Sequence, residues 1–213
     1  MGENEPGIRR DYSSSRLFIQ VIRILGRTNG LTHLIAKEIF LTKGKGTHRE
    51  KLTSFELSLR NAGIAAFNLV RVSSIFPPNC KLISRKQGLT KLQQGQVVFC
   101  VMSETATNEP NRLIASAVGV AVPRDPGLYG YLSEHHGYGQ TERMAGDYSE
   151  DIAAELLATT LGVDFDPDHS WDEKRELWKI SGRIFRTRNV TQSATGHKDG
   201  LWTTVIAAAV FLI

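Results

Sequence analysis

Residues 96–122 read QVVFCVMSETATNEPNRLIASAVGVAV. Two apolar runs, Gln96–Thr105 and Arg112–Val122, follow one another directly, and each is long enough for a central strand. Downstream, Tyr129–Glu134, Lys179–Gln192 and Trp202–Leu212 read as further strands. Upstream, Lys37–Thr42, Ala65–Val72 and the short Lys81–Ser84 do the same, while Lys43–Thr47 reads as a flexible Gly/Lys turn. Only two long helices interrupt this series. Glu50–Ala62 carries Leu52, Phe55, Leu59 and Ala62 at helical spacing, with Gly63 as its stop. Thr141–Leu161 places Ile152, Leu156, Leu157 and Leu161 on one side, with Gly162 closing it. Strands in runs, without strict β-α alternation, predict an α+β fold with helices packed on largely antiparallel sheets.

The chain has 213 residues, 41% hydrophobic and 23% charged. These values predict one large domain whose core needs neither disulfides nor metal, and they exclude disorder, collagen and coiled coil as descriptions of the whole chain. Residues 1–36 read as an N-terminal extension, with Met1–Ser15 a loose polar tail and Arg16–Leu25 a short amphipathic helix or strand, and the core from residue 37 onward. The net charge of +4 permits nucleic-acid or membrane contacts without calling for them. Cys80 and Cys100 are too few for a disulfide framework, form no Cys-x-x-Cys pair, and read as reduced thiols. The longest apolar run, Val205–Ile213, has nine residues, against the roughly 20 that a membrane-crossing helix needs. Glu3, Glu5, Asp11 and Arg23 spoil a secretory signal pattern, so a cytoplasmic protein is expected.

Three motifs are set aside. Gly44-Lys45-Gly46-Thr47 lacks the spacing of a phosphate-cradling loop. His135-His136 beside Gly137 reads as a solvated turn, and the histidines and cysteines have no metal-ligand spacing. Arg183, Arg186 and Arg188 alternate with nearby Asp172, Glu173 and Glu176, which reads as a solvated mixed-charge face and not as a nucleic-acid stripe.

The chemistry-bearing stretch runs from Phe55 to Pro78. A helix carrying Glu56 leads through Asn61-Ala62-Gly63-Ile64 into Asn68-Leu69-Val70-Arg71-Val72-Ser73-Ser74-Ile75, followed by Phe76-Pro77-Pro78. With Val122-Pro123-Arg124-Asp125 and the acidic Glu134 farther on, this string resembles the pyruvoyl-dependent arginine decarboxylases, the archaeal type in particular, from about Ile39 to Ile213. The resemblance implies a four-layer αββα sandwich, assembled as a trimer or dimer of trimers with sites between subunits. It implies self-cleavage between Ser73 and Ser74 into chains 1–73 and 74–213, with Ser74 becoming a covalent pyruvoyl group. No pyridoxal phosphate and no metal are implied. The product from L-arginine is agmatine, formed with CO2 through a Schiff base on that group.

The residue types suit this chemistry. A hydroxyl at position 74 can attack the preceding carbonyl, whereas position 73 supplies only that carbonyl. Attack needs a held geometry, which Pro77-Pro78 could help supply, and a donor for the developing oxyanion. Glu134 aligns with the family's catalytic glutamate, a proton donor that calls for partial burial or a neighbouring negative charge. Glu56 stands where the family has an aspartate that receives the guanidinium; it keeps the charge on a longer arm, which leaves lysine, ornithine or histidine as alternative substrates. Asn68 matches a family active-site residue. Six residues of extended strand separate it from Ser74 by about 20 Å, so the two meet only if the strand folds back or a neighbouring subunit brings them together. The rival readings are an uncleaved, non-enzymatic homologue and a basic nucleic-acid-binding domain.

Overall fold

The computed structural model describes residues 34–162 and 184–213. Most of the expected N-terminal extension, residues 179–183 of the expected strand Lys179–Gln192, and most of the mixed-charge cluster lie outside them. The compact unit Ala36–Ile213 contains nine strands and three helices among its described residues. In chain order these are β1 (Glu38–His48), α1 (Lys51–Ala62), β2 (Asn68–Arg71), β3 (Ile75–Phe76), β4 (Lys81–Ile83), α2 (Arg85–Leu89), β5 (Val97–Thr107), β6 (Leu113–Pro123), β7 (Gly130–Tyr138), α3 (Glu142–Thr160), β8 (Ile184–Thr195) and β9 (Trp202–Leu212).

The strands form two sheets. One has the order β2-β5-β9-β1-β4, the other β3-β7-β6-β8. Most neighbours are antiparallel; β2 on β5 and β4 on β1 are parallel. The sheets stack face to face, with α1 packed on β1 and β9 and α3 packed on β6, β7 and β8. This is the α+β arrangement read from the order of elements, in the sandwich form that the resemblance implied.

Alternation along β9 shows how one strand serves two layers. Ile206, Ala208, Val210 and Leu212 join the core under α1 with Phe40, Leu59 and Ile64. Ala207, Ala209 and Phe211 join the core between the sheets with Ile39, Val101, Val118 and Leu132. A strand covered on both faces reads as one continuous apolar run, because the period of two has no wet side to mark. A third core, of small residues, lies under α3: Ala121 meets Ala153, Ala154, Leu157 and Ala158.

Two turn expectations fail. Lys43–Thr47 is the second half of β1, paired to β9 from Glu38–Leu212 to His48–Trp202. Gly44 and Gly46 are there because α1 lies on them: a Cβ at Gly44 would overlap the Ser58 carbonyl, and one at Gly46 the Ser54 carbonyl. Similarly, His135, His136 and Gly137 belong to β7, which runs on to Tyr138. The cap at Gly63 is as expected, with φ +79° in the left-handed region. The five-residue α2 was not anticipated; its signal is the Ser84–Gln87 capping box.

Candidate active site

Ser73 and Ser74 lie where the chain passes from one sheet to the other. β2 is an edge strand of the five-stranded sheet and β3 an edge strand of the four-stranded sheet. The Val72 N–H donates to the Cys100 carbonyl at 3.0 Å, the last contact of this segment with β5. Two residues later the chain pairs with β7, Ile75 opposite Tyr131. In the crossing, Ser73 is exposed and Ser74 half-buried. The Ile75 N–H donates to the Ser73 carbonyl at 3.1 Å, so an amide donor rests on the carbonyl that Ser74 would attack. The Leu132 N–H donates to the Ser74 carbonyl at 2.8 Å. Beyond β3, the Cys80 N–H closes on the Pro77 carbonyl at 3.2 Å, which turns the chain after the double proline.

The departure of β2 leaves the next stretch of β5 without a strand beside it. In a parallel ladder, alternate residues turn both N–H and C=O toward the same neighbour, so Met102 and Glu104 follow Cys100 on that edge. Two side chains from β7 take part of the missing strand's place. Glu134 Oε1 accepts from the Met102 N–H at 3.2 Å. His136 Nδ1 lies 3.0 Å from the Glu104 carbonyl. A carbonyl can only accept, so this hydrogen bond fixes the proton on Nδ1. Ser103 Oγ, 3.1 Å from the same nitrogen, gives its own proton to the His135 carbonyl at 2.6 Å. Leu132, Glu134 and His136 share one face of β7 by strand alternation, and Leu132 sits in the core between the sheets. The opposite face of β7 binds α3, where Ser133 Oγ donates to the Ser149 carbonyl and the His135 ring lies 4.5 Å from that of Tyr148.

A single chain does not bring the other expected residues to Ser74. Asn68 begins β2; its Nδ2 donates to the Gly95 carbonyl and its N–H to the Gln96 carbonyl, both at 2.8 Å. The segment is tied to β5 from Asn68 to Val72, which at about 3.3 Å per residue puts roughly 13 Å between them. Glu56 lies on α1, on the outer face of the five-stranded sheet, and pairs with Arg60 at 3.0 Å. Glu134 itself is exposed, so one chain does not supply the burial expected of the acid. Clefts of about 830 and about 610 Å³ occur elsewhere, and neither is lined by Ser73, Ser74, Glu134, Asn68 or Glu56.

Other chemistries find little support. Burial pushes the Cys80 thiol up to about 12 and the Cys100 thiol up to about 11, so neither is a nucleophile at neutral pH. Among the described residues, no group of three or more His, Cys, Asp or Glu is placed to hold a metal. No helix among them is long and apolar enough to cross a membrane.

The backbone donors Met102 and Leu132 were not found by reading the sequence, because they act through main-chain groups that carry no residue-type signal. Glu134 left one trace: alternation along β7 puts a carboxylate on the same face as the buried Leu132.

Ser74 also fits conversion to a pyruvoyl group. That conversion removes its N–H and its hydroxyl, and neither forms a hydrogen bond among the described residues. Its carbonyl, which is retained, is the group that Leu132 holds. A family model described as pyruvoyl-dependent arginine decarboxylase matches residues 38–213. The pyruvoyl-dependent arginine decarboxylase of Nitrosopumilus maritimus is 59% identical over 180 residues, covering 84% of this chain and 98% of that protein. The corresponding protein of Methanococcoides burtonii is 54% identical, over 84% of this chain and all of its own length. A protein of Chloroherpeton thalassium named as a probable member is 60% identical, over 84% and 98% of the two chains. With this fold, this crossing and these relatives, the chain belongs to the pyruvoyl-dependent arginine decarboxylases.

Proposed function

We propose that this chain cuts itself between Ser73 and Ser74 and decarboxylates L-arginine to agmatine and CO2, with Glu134 as the proton donor. The observation that carries the reading is the crossing: a serine pair between two sheet edges, with Ser74 making no hydrogen bond through the groups it would lose. Ser74 Oγ attacks the Ser73 carbonyl carbon, the peptide C–N bond breaks, and the nitrogen takes the proton. Elimination then frees Ser73 as a carboxylate, and hydrolysis releases ammonia. The pyruvoyl group so formed supplies an electrophilic ketone and an adjacent carbonyl that can accept an electron pair. Glu134, held through Oε1 by the Met102 N–H, has Oε2 left to carry the proton delivered to the carbon that loses CO2.

The site is shared between copies of the chain in a trimer or a dimer of trimers, with Asn68 and Glu56 supplied by a neighbour. Support comes from their separation from Ser74 and from exposed apolar side chains along β2, at the crossing and at the start of β5. Val70, Val72, Ile75 and Val97 are 40%, 37%, 40% and 57% exposed. An adjoining subunit would cover such a patch and bury Glu134 with it. The carboxylate of Glu56 takes the guanidinium. Two unpaired thiols suit a reducing cytoplasm.

Intact mass under denaturing conditions tests the reading. Cleavage replaces the 23.6 kDa chain with pieces of about 8 and about 15.5 kDa, at roughly 0.11 kDa per residue. The larger piece resists N-terminal sequencing because a ketone stands where its amine was. A single uncut, inactive chain overturns the proposal. Turnover of arginine, lysine, ornithine and histidine side by side tests the substrate.

A further inference from the structure

We infer that the backbone N–H of Leu132 is a catalytic group: it stabilises the negative charge that reaches the Ser74 carbonyl oxygen when CO2 leaves. The inference rests on the decarboxylase reading above and adds to it the group that receives the electrons. As the bond between the substrate's Cα and its carboxylate breaks, CO2 departs without the bonding pair. That pair passes through the substrate nitrogen and the former Ser74 Cα, and its charge settles on the Ser74 carbonyl oxygen. It returns to the substrate carbon when a proton is delivered there, so no electrons are gained or lost overall.

A donor on that oxygen is therefore worth more in the transition state than before it. Leu132 N–H is 2.8 Å from the oxygen and already aimed at it. The Leu132 side chain is fully buried between the sheets, and the strand is fixed on its other edge to β6, with Leu132 opposite Val120. Such a donor is preorganised, and the partly buried carbonyl makes the bond stronger than it would be in water. Glu134 lies two residues farther along the same face of β7, so a single strand presents both the donor for the electron-accepting oxygen and the carboxyl that returns the proton.

The ordinary alternative is that this bond is merely the last rung of a short edge ladder. The test separates the two by removing the N–H and keeping the side chain. Incorporating 2-hydroxy-4-methylpentanoic acid at position 132 turns the Tyr131–Leu132 peptide into an ester. The control is the same exchange at Gly130, with glycolic acid, which alters the β3–β7 ladder opposite Phe76 without touching Ser74. Each protein is purified as the full chain. Its cleavage is read by mass, its kcat and KM with arginine are measured, and its ketone is titrated by the rate at which borohydride adds two hydrogens.

Loss of the donor lowers kcat about 10²–10³-fold relative to the control, with KM little changed. It also slows reduction of the ketone, which is less electrophilic beside an unbonded carbonyl. A purely structural rung would move neither quantity beyond the control, and that result overturns the inference. Should the 132 ester fail to fold or cleave, hydrogen exchange at the Leu132 amide of the unmodified mature enzyme decides: protection that rises while arginine is being turned over supports the inference, and exchange that is unchanged by arginine, or as fast as that of an open amide, overturns it. Failure of the unmodified chain to cleave or turn over arginine would instead sink the decarboxylase reading itself.

Discussion

Glu134 of β7 accepts a hydrogen bond from the Met102 N–H of β5, across the gap between the two sheets, at the point where β2 has stopped shielding that amide. The carboxylate is thus a substitute for a missing strand, and it makes this contact through Oε1 alone.

Glu134→Gln keeps an oxygen that can accept from Met102 and removes the acid. The variant is expected to fold and to cleave, and to lose about 10²–10⁴-fold in kcat. Stopped assays of CO2 release, with cleavage read by mass on the same sample, check both halves. Normal turnover would take Glu134 out of the mechanism.

A shared site predicts complementation. Asn68→Ala and Ser74→Ala are each expected to be inactive alone. Unfolded together and refolded, they would form mixed assemblies in which some sites join an intact Ser74 from one chain to an intact Asn68 from another. Recovered activity at those sites is the expected outcome. Two inactive variants that stay inactive when mixed would argue for a site within one chain.

The glycines of β1 predict a stability effect unconnected to chemistry. Gly46→Ala places a methyl group against the Ser54 carbonyl and Leu57 Cβ of α1. Separating the helix from the sheet by even part of that overlap costs about 1–3 kcal/mol. A chain of this length should then melt roughly 2–4 °C lower per kcal/mol. Lys45→Ala, at the exposed position between the two glycines, is expected to have little effect on the same melting curve.

Cys100 predicts a pH dependence. Burial, with a smaller contribution from Glu134 and opposed by Arg71, pushes its thiol up from 9.0 to about 11. The unfolded chain therefore releases this proton first. The contribution of the neutral buried thiol to stability is complete below pH 9.0 and is lost as pH rises through about 11. The stability gap between the native sequence and Cys100→Ala should accordingly narrow from about pH 8 to about pH 10.5, read as urea midpoints. A constant gap would show that the thiol does not ionise differently in the two states.

Much of the architecture was legible because the hydrophobic period carries it. β5, β6, β9, α1 and α3 lie within a few residues of where spacing put them. The failures share a physical cause. Glycine at positions 44 and 46 has the same appearance in a sequence whether it frees a turn or admits a helix at close range, and only the packing of α1 decides. Gly137 misled in the same way at the end of β7; a Cβ there would meet the Gln140 side chain. Of the candidate site, sequence reading named the side chains Ser74 and Glu134, whose roles are those proposed above. The amides of Met102 and Leu132 that contact them were not legible, since any residue except proline would carry such a group.

The passage of the chain between sheets also sets the history of the molecule. A cut after Ser73 leaves β1, α1 and β2 on one fragment and the other strands on the second. Yet β1 lies between β9 and β4, with eleven residues paired to β9. The short fragment is woven through the larger one by this pairing. Assembly from a single continuous chain is an intramolecular search; after the cut, the same structure could be regained only by an encounter of two separate molecules. Maturation would then act as a ratchet. Refolding of the mature protein would slow on dilution, while the Ser74→Ala chain would recover at a rate set by its own folding until subunits must meet.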